Sequence, residues 1–150
     1  MTDSMVRIIS LVAVLAASLF AGAALYINIA EQPARLTLDT RSAAAQWAPS
    51  YARATWMQAP LALVSMLCGI AVWLMTGRIG WLAAAVLIGL VVPFTFLGIM
   101  PTNKSLLLRG RDLGSPETRA LLERWGRLHA VRTALSLVAT VQYLWLLSGG

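Results

Sequence analysis

The residues best suited to chemistry lie in the stretch Trp125-Gly126-Arg127-Leu128-His129-Ala130-Val131-Arg132, which holds the only histidine of the 150-residue chain. On a helix Trp125, His129 and Arg132 fall at i, i+4 and i+7 and share one face. The stretch lies where a charged amphipathic segment passes into an apolar run. Such a face is either the catalytic mouth of a membrane-embedded bundle or an interfacial anchor. As an anchor, His129 would hydrogen-bond a loop carbonyl and Arg132 would snorkel to headgroups. Against that stands the rule that ionisable groups at membrane depth are functional candidates by default.

Several other chemistries find no residues to carry them. Cys68, the sole cysteine, sits in an apolar run and suits packing; it forms no intramolecular disulfide and no CxxC metal site. One histidine with scattered carboxylates makes a weak metal site and no di-iron or copper cluster. Bis-histidine haem ligation is ruled out, whereas His129 with a methionine leaves haem, or a metal, open. No Gly-rich phosphate loop follows a strand, and GxSxG is missing.

The elements that must position this face are apolar. The chain is 59% hydrophobic and only 12% charged, about half the charged fraction of a soluble domain. Its net charge of +6 comes from basic residues beside long apolar blocks. That pattern fits anionic lipid headgroups and topology, and no nucleic-acid motif accompanies it.

The periodicity predicts an all-α fold, a four-helix transmembrane bundle in a single domain over 1–150. Its spans run at about 5–30, 56–76, 81–100 and 128–148, with short extramembrane helices in loops 1 and 3. A signal peptide competes for the first block, with Arg7 before it and Ala21-Gly22-Ala23 as a cleavage-like site. The apolar character continues to Ala30, which favours a span. Ala13, Ala17 and Ala21, then Ser65 and Gly69, are small residues at i+4 that admit a neighbouring helix and would also allow a homo-oligomer. Pro33 should stop or kink the first helix. Asp39, Thr40 and Ser42 are candidate caps for a short helix through Trp47 that Pro49 would end. Gly77-Arg78-Ile79-Gly80 reads as a tight turn. Pro93 should free carbonyls in the third span, with Thr95 near enough to help satisfy them. The segment 101–114 reads as polar and irregular. Ser115-Pro116-Glu117 is a helix start that should run unbroken into the fourth span.

Ten of the twelve basic residues flank or occupy 31–55 and 101–127. The positive-inside rule therefore puts these loops in the cytoplasm, with a bacterial inner membrane as the expected location. Arginines committed to a site would weaken that count.

All four helices send polar residues to the same rim. Asn28 and Glu31 end the first, Tyr51, Arg53 and Gln58 enter the second, Thr102 and Asn103 leave the third, and Trp125, His129 and Arg132 enter the fourth. Each has a plainer reading. Trp47, Trp56 and Trp81 look like an aromatic belt, and Trp125 fits one too. Glu31–Arg35 is more easily a structural ion pair, worth only a few tenths of a kcal/mol if exposed. Pro101-Thr102-Asn103 is more easily a helix-ending turn than a ligand clamp.

The motifs Tyr26-x-Asn28-x-x-Glu31-x-Pro33-Ala34-Arg35, Trp47-x-x-Ser50-Tyr51-x-Arg53, Met57-Gln58-Ala59-Pro60, Pro93-x-Thr95, Pro101-Thr102-Asn103-x-x-Leu106 and Leu122-x-x-Trp125-x-x-x-His129-x-x-Arg132 come in that order. Together they resemble the DUF1772 family, which contains the anthrone oxygenases of polyketide pathways. Members often carry His after the Glu of the first motif, where this chain has Gln32.

The resemblance implies a four-helix membrane protein that oxidises an anthrone to an anthraquinone with O2 and no recognised cofactor. It implies a base, a cation or donor for the developing oxyanion, and a flat apolar pocket. His129, with an ordinary pKa near 6.5, would be the base. Arg132 or Arg53 would stabilise the oxyanion, and Asn103, Tyr51 and Gln58 would orient carbonyl and hydroxyl groups. Asn28, Thr102 and Trp125 complete the substrate-binding set. Glu31 would fix the His tautomer or pair with an arginine. The expected partners are the lipid bilayer, O2 and a hydrophobic aromatic molecule, with no nucleic acid. The rival function is a non-enzymatic membrane module binding a lipid, a quinone or partner helices.

Overall fold

A computed structural model describes residues 2–150, with Thr2 in its backbone only. The described residues form four long helices, α1 (Asp3–Arg35), α2 (Thr40–Thr76), α3 (Ile79–Leu106) and α4 (Pro116–Leu147), each long and apolar enough to cross a membrane. The architecture is thus the expected all-α four-helix transmembrane bundle. α1 packs on α2 and α4, and α3 packs on the same two, so α1 and α3 face each other across a diagonal. At 1.5 Å per residue α2 is roughly 55 Å long, well beyond the hydrocarbon thickness, so part of it stands clear of the core.

The local signals at the helix ends act as expected. Asp39 caps α2, its Oδ1 accepting from the Ser42 amide at 3.0 Å, and Ser115 caps α4 by accepting from the Thr118 amide at 3.2 Å. Gly77 closes α2 at φ 70°, a left-handed conformation that favours glycine. α4 runs unbroken through its charged and apolar parts.

The prolines act differently from expectation. Pro49 does not end a separate helix in loop 1: α2 continues through both Pro49 and Pro60. Pro49 and Ala45, whose carbonyl loses its helical donor, are both exposed. Only residues 36–39 are left to join α1 to α2. Nor does Pro101 end the third helix. It opens a further α-helical segment, Met100–Leu106, so Pro101-Thr102-Asn103 is helical and the irregular connection shrinks to 107–115. In both α1 and α3 a π-helical turn precedes such a restart, Ile27–Glu31 before Pro33 and Thr95–Ile99 before Pro101. Proline fits there because the first turn of a helical segment needs no amide donor. Thr95 Oγ1 donates to the Val91 carbonyl at 2.6 Å rather than to that of Gly89, which Pro93 leaves without its donor.

The interior divides into two clusters. One is built on Ala13, Ala17, Phe20, Ala84, Ile88 and Tyr143, and the other on Ile27, Trp47, Ile99, Leu106, Leu122 and Trp125. Trp47 and Trp81 are both buried, so neither belongs to an aromatic belt; Trp56 alone of the three is exposed. An apolar helix gives periodicity little contrast between its lipid face and its core face, which is why the inward tryptophans were not separable.

Candidate functional site

The π turn of α1 presents Asn28 and Glu31 toward the second cluster. Asn28 crosses to α4, its Nδ2 donating to the Gly126 carbonyl at 3.1 Å. That contact needs a close approach: a Cβ on Gly126 would lie 3.1 Å from Gln32 Cγ. The orientation turns Asn28 Oδ1 to His129 Nδ1, 2.8 Å away, and to Thr133 Oγ1 at 2.5 Å. An amide oxygen only accepts, so the neutral imidazole carries its proton on Nδ1 and keeps the Nε2 lone pair free. Asn28, rather than Glu31, fixes the tautomer.

His129 is 1% exposed and is the last member of an aromatic ladder. Tyr51 stacks on Trp47 at 5.1 Å, Trp47 meets Trp125 edge-on at 5.8 Å, and Trp125 lies 4.9 Å from His129, all between ring centroids. One turn along α4, Arg132 Nη2 donates to Gln58 Oε1 at 3.0 Å, and its guanidinium carbon sits 5.4 Å from the Phe20 ring centroid.

Glu31 takes the other expected role and pairs with Arg35. The pair is not an exposed surface contact, because Arg35 is buried and acts as a hub. Its guanidinium donates to Glu31, to Gln46, to Gln32 Oε1 at 2.5 Å and to Ser50 Oγ at 3.4 Å, and Ser50 in turn donates to Glu31. Gln32 Nε2 reaches the Leu122 carbonyl at 2.8 Å, so Gln32 is a structural tie between α1 and α4. Sequence reasoning placed Arg35 only in an ion pair and missed Gln32, Gln46, Ser50 and Thr133 as parts of the network. The i+4 spacing of Glu31 and Arg35 was the one available signal.

These side chains enclose a small chamber of about 10 Å³, lined by Glu31, Tyr51, Gln58, Trp125, His129 and Arg132 among others. It has room for about one water. Gln58 Nε2, Trp125 Nε1 and Arg132 Nε are buried N–H donors with no acceptor within the described residues. Three residues in the chamber lining therefore carry unpartnered N–H donors, beside the Glu31 carboxylate. Glu31, Ser50, Ala54 and Ile27 are shared with a larger outer pocket of 710 Å³ between α1 and α2, which Tyr26, Arg53 and Met57 also line. Arg53 is exposed there and does not line the chamber.

Thr102 and Asn103 are fully buried, and Thr102 Oγ1 and both polar side-chain atoms of Asn103 lack partners among the described residues. Asn103 lies one turn from Ile99 and Leu106 on the inward face of α3, but it lines neither the chamber nor the outer pocket. Among the described residues no three His, Cys, Asp or Glu side chains converge as a metal site requires. Some of the basic residues counted for topology have internal duties: besides Arg35 and Arg132, Arg119 donates to the carbonyls of Leu36 and Leu38, and Arg111 Nε to that of Ser105.

The sequence profile described as anthrone oxygenase matches residues 47–142, which takes in Tyr51, Gln58, Asn103, His129 and Arg132 and leaves Asn28 and Glu31 outside. An anthrone oxygenase of Aspergillus fumigatus is 43% identical over 56 residues, a match covering 34% of this chain and 34% of the relative. No solved structure matches. With a family match over more than half its length, the chain belongs to the anthrone oxygenase family.

Proposed function

We propose that the protein is a membrane-embedded oxygenase that uses O2, without a cofactor, to convert an anthrone-like or related flat phenolic substrate into a quinone. The observation that carries this reading is the pairing of one fixed base with unpartnered N–H donors. His129 has its Nε2 lone pair set free by Asn28, and the surrounding chamber holds buried N–H groups of Gln58, Trp125 and Arg132 with no acceptor. Donors held in place around a dry site stabilise a developing oxyanion far better than water does.

The chamber is too small for a ring system, so the substrate lies in the outer pocket, whose volume is that of an ordinary ligand site. Its reactive edge faces the gap at Glu31, Ser50 and Ala54. His129 takes a proton from the methylene carbon, directly or through one water. The resulting enolate oxygen draws on Arg132 and its neighbours. The enolate gives one electron to O2, and the substrate radical and superoxide join through a C–O bond. The peroxide takes up a proton, then loses the remaining hydrogen of that carbon as a proton while its O–O bond breaks. One oxygen stays as the new carbonyl and the other leaves as water. The CH2 group thus loses four electrons and O2 gains four. Arg53, at the pocket wall, meets polar substituents of the substrate. The end of the bundle formed by 31–55 and 101–127 lies in the cytoplasm in this reading, which labelling of a cysteine at Arg111 from each side tests.

The test is turnover of anthrone under 18O2 by the purified protein in nanodiscs, against the rate of spontaneous autoxidation. The expected result is a quinone with one labelled oxygen, one O2 consumed per anthrone, and full activity in protein with no visible chromophore and no metal. A co-purified quinone or lipid with no turnover would instead make the protein a binding module. Activity that vanishes with removal of a haem or metal would end the cofactor-free mechanism.

A further inference from the structure

A third cavity, of about 120 Å³, lies on the opposite side of α2 from the outer pocket. The two are separated by helical phase. Gln46, Pro49, Ser50, Arg53 and Met57 of α2 face the outer pocket, whereas Tyr51, Thr55, Ala59 and Ala62 face this cleft. The latter follow i, i+4, i+8 and i+11 and so form one continuous stripe. Its other walls are mostly apolar, with Phe20, Val91, Val92, Phe96 and Met100. The cleft reaches the outer surface of the bundle at Phe96, which is exposed among other apolar side chains of α3 such as Leu97. At its inner end it shares Tyr51, Thr55 and Arg132 with the His129 chamber.

We infer that this cleft is the O2 site, fed laterally from the lipid, so that gas and aromatic substrate approach the chamber from opposite sides of α2. This inference rests on the oxygenase reading. Size separates the two ligands. A dry apolar cavity of about 150 Å³ holds one benzene ring or a xenon atom, so 120 Å³ takes a diatomic gas and excludes three fused rings. Charge then favours the reaction at the inner end. O2 arriving there is neutral and enters an apolar cleft without a desolvation cost. Once it accepts one electron from the enolate it is an anion beside the Arg132 guanidinium, in surroundings where opposite charges attract strongly. Superoxide then moves from the α3 side into the chamber, where it forms the C–O bond with the radical whose reactive carbon faces the chamber from the α1 side of α2. Ala59 and Ala62 keep the cleft open because a larger side chain at either position would fill it.

Xenon, a polarisable stand-in for O2, tests the cleft without any turnover. In the wild-type protein in nanodiscs, xenon should shift the methyl resonances of Val91, Val92 and Met100. Ala59→Phe, at an exposed position that overpacks no core, should abolish those shifts and raise the KM for O2 severalfold while leaving the KM for anthrone unchanged. Met57→Trp in the outer pocket should do the reverse. Methyl groups that xenon leaves unmoved would overturn the inference, even if Ala59→Phe failed to fold. So would an Ala59→Phe enzyme whose KM rises for anthrone and not for O2, because the aromatic substrate would then be using the cleft. Failure of the wild type to turn over anthrone would remove the oxygenase reading instead, and the xenon shifts would still decide whether the cleft takes a gas.

Discussion

The half of the bundle around Phe20, Ile88 and Tyr143 and the half around Trp47, Trp125 and His129 use the same four helices and satisfy their polar groups very differently. In the first, small residues let helices touch and the buried hydroxyls find acceptors. Ser65 Oγ donates to the Ala13 carbonyl at 2.9 Å, Tyr143 OH to the Ser65 carbonyl at 3.1 Å, and Thr140 Oγ1 to the Ser136 carbonyl at 2.8 Å. In the second, Trp47, Gln58, Thr102, Asn103, Trp125 and Arg132 all keep buried polar atoms without partners in the described residues. An unsatisfied buried polar group costs about 1–3 kcal/mol. Among the described residues, the buried side-chain polar atoms without partners all lie at one end, beside the only histidine, and the well-satisfied packing lies at the other.

Replacing His129 should break that comparison most sharply. His129→Ala should fold, because the partners it leaves are Asn28 and the tilted ring of Trp125, and Asn28 keeps Thr133 as a donor. Loss of a general base lowers turnover by roughly 10²–10⁴-fold, measured as O2-dependent quinone formation. Full activity in this variant would take His129 out of the mechanism. Asn28→Leu should lower turnover less and leave binding of the aromatic substrate intact, because it frees the tautomer and ring orientation without removing the base. Its pH–rate profile should move, whereas a purely structural loss would lower the rate equally at every pH.

The difference between the halves also explains what could be read from the sequence. Asn, Gln, Glu and His stand out against an apolar background, so the rim was legible from residue type alone, and so were the caps at Asp39 and Ser115, which depend on three or four residues. The Glu31–Arg35 pair was legible from its spacing but its burial was not, and neither was the place of Arg53 at the outer pocket. The π turn at Ile27–Glu31 inserts one extra residue, which rotates the following chain by about 100°. That rotation helps set which neighbours Gln32 and Arg35 meet, the Leu122 carbonyl of α4 and Gln46 of α2, and i+4 spacing within α1 does not predict those partners. Prolines were read by the rule for uniform α-helices, so the restarts after each π turn were taken for ends. Asn103 was recognised by type, yet its place on α3 depends on the second π turn, and nothing local encodes that.

In the well-satisfied half the expected effects are on stability. Gly69 is pressed against Tyr143: a Cβ there would lie 2.0 Å from the phenol oxygen and 3.0 Å from Ala85 Cβ. Gly69→Ala should therefore displace Tyr143 and cost about 1–3 kcal/mol as an overpacked core does, read as a lower thermal midpoint in detergent. The catalytic constants of the folded fraction should stay the same. Equal loss of turnover per folded molecule would show that the two halves are coupled. Tyr143→Phe removes only the bond to the Ser65 carbonyl and should cost roughly 0.6 kcal/mol, the average for such bonds in membrane bundles.

The smallest effect belongs to Asp39, which lies at the rim end yet outside the membrane and outside the site. Hydrogen bonds from Ser42, side chain first and then backbone amide, hold its carboxyl below the ordinary carboxylate range. A carboxyl with a lowered folded pKa contributes its stability at pH values above the unfolded pKa of about 3.9. That contribution fades as pH falls through the folded value. The cap should therefore weaken only in acid, below about pH 4. Asp39→Asn keeps an acceptor at the N-cap and removes the titration, so its thermal midpoint should fall less between pH 5 and pH 3 than that of the wild type, with turnover at neutral pH unchanged. If the variant instead lost turnover at neutral pH, the connection at 36–39 would be part of the working end of the bundle, and the boundary between its stable and its reactive half would have to be drawn beyond the start of α2.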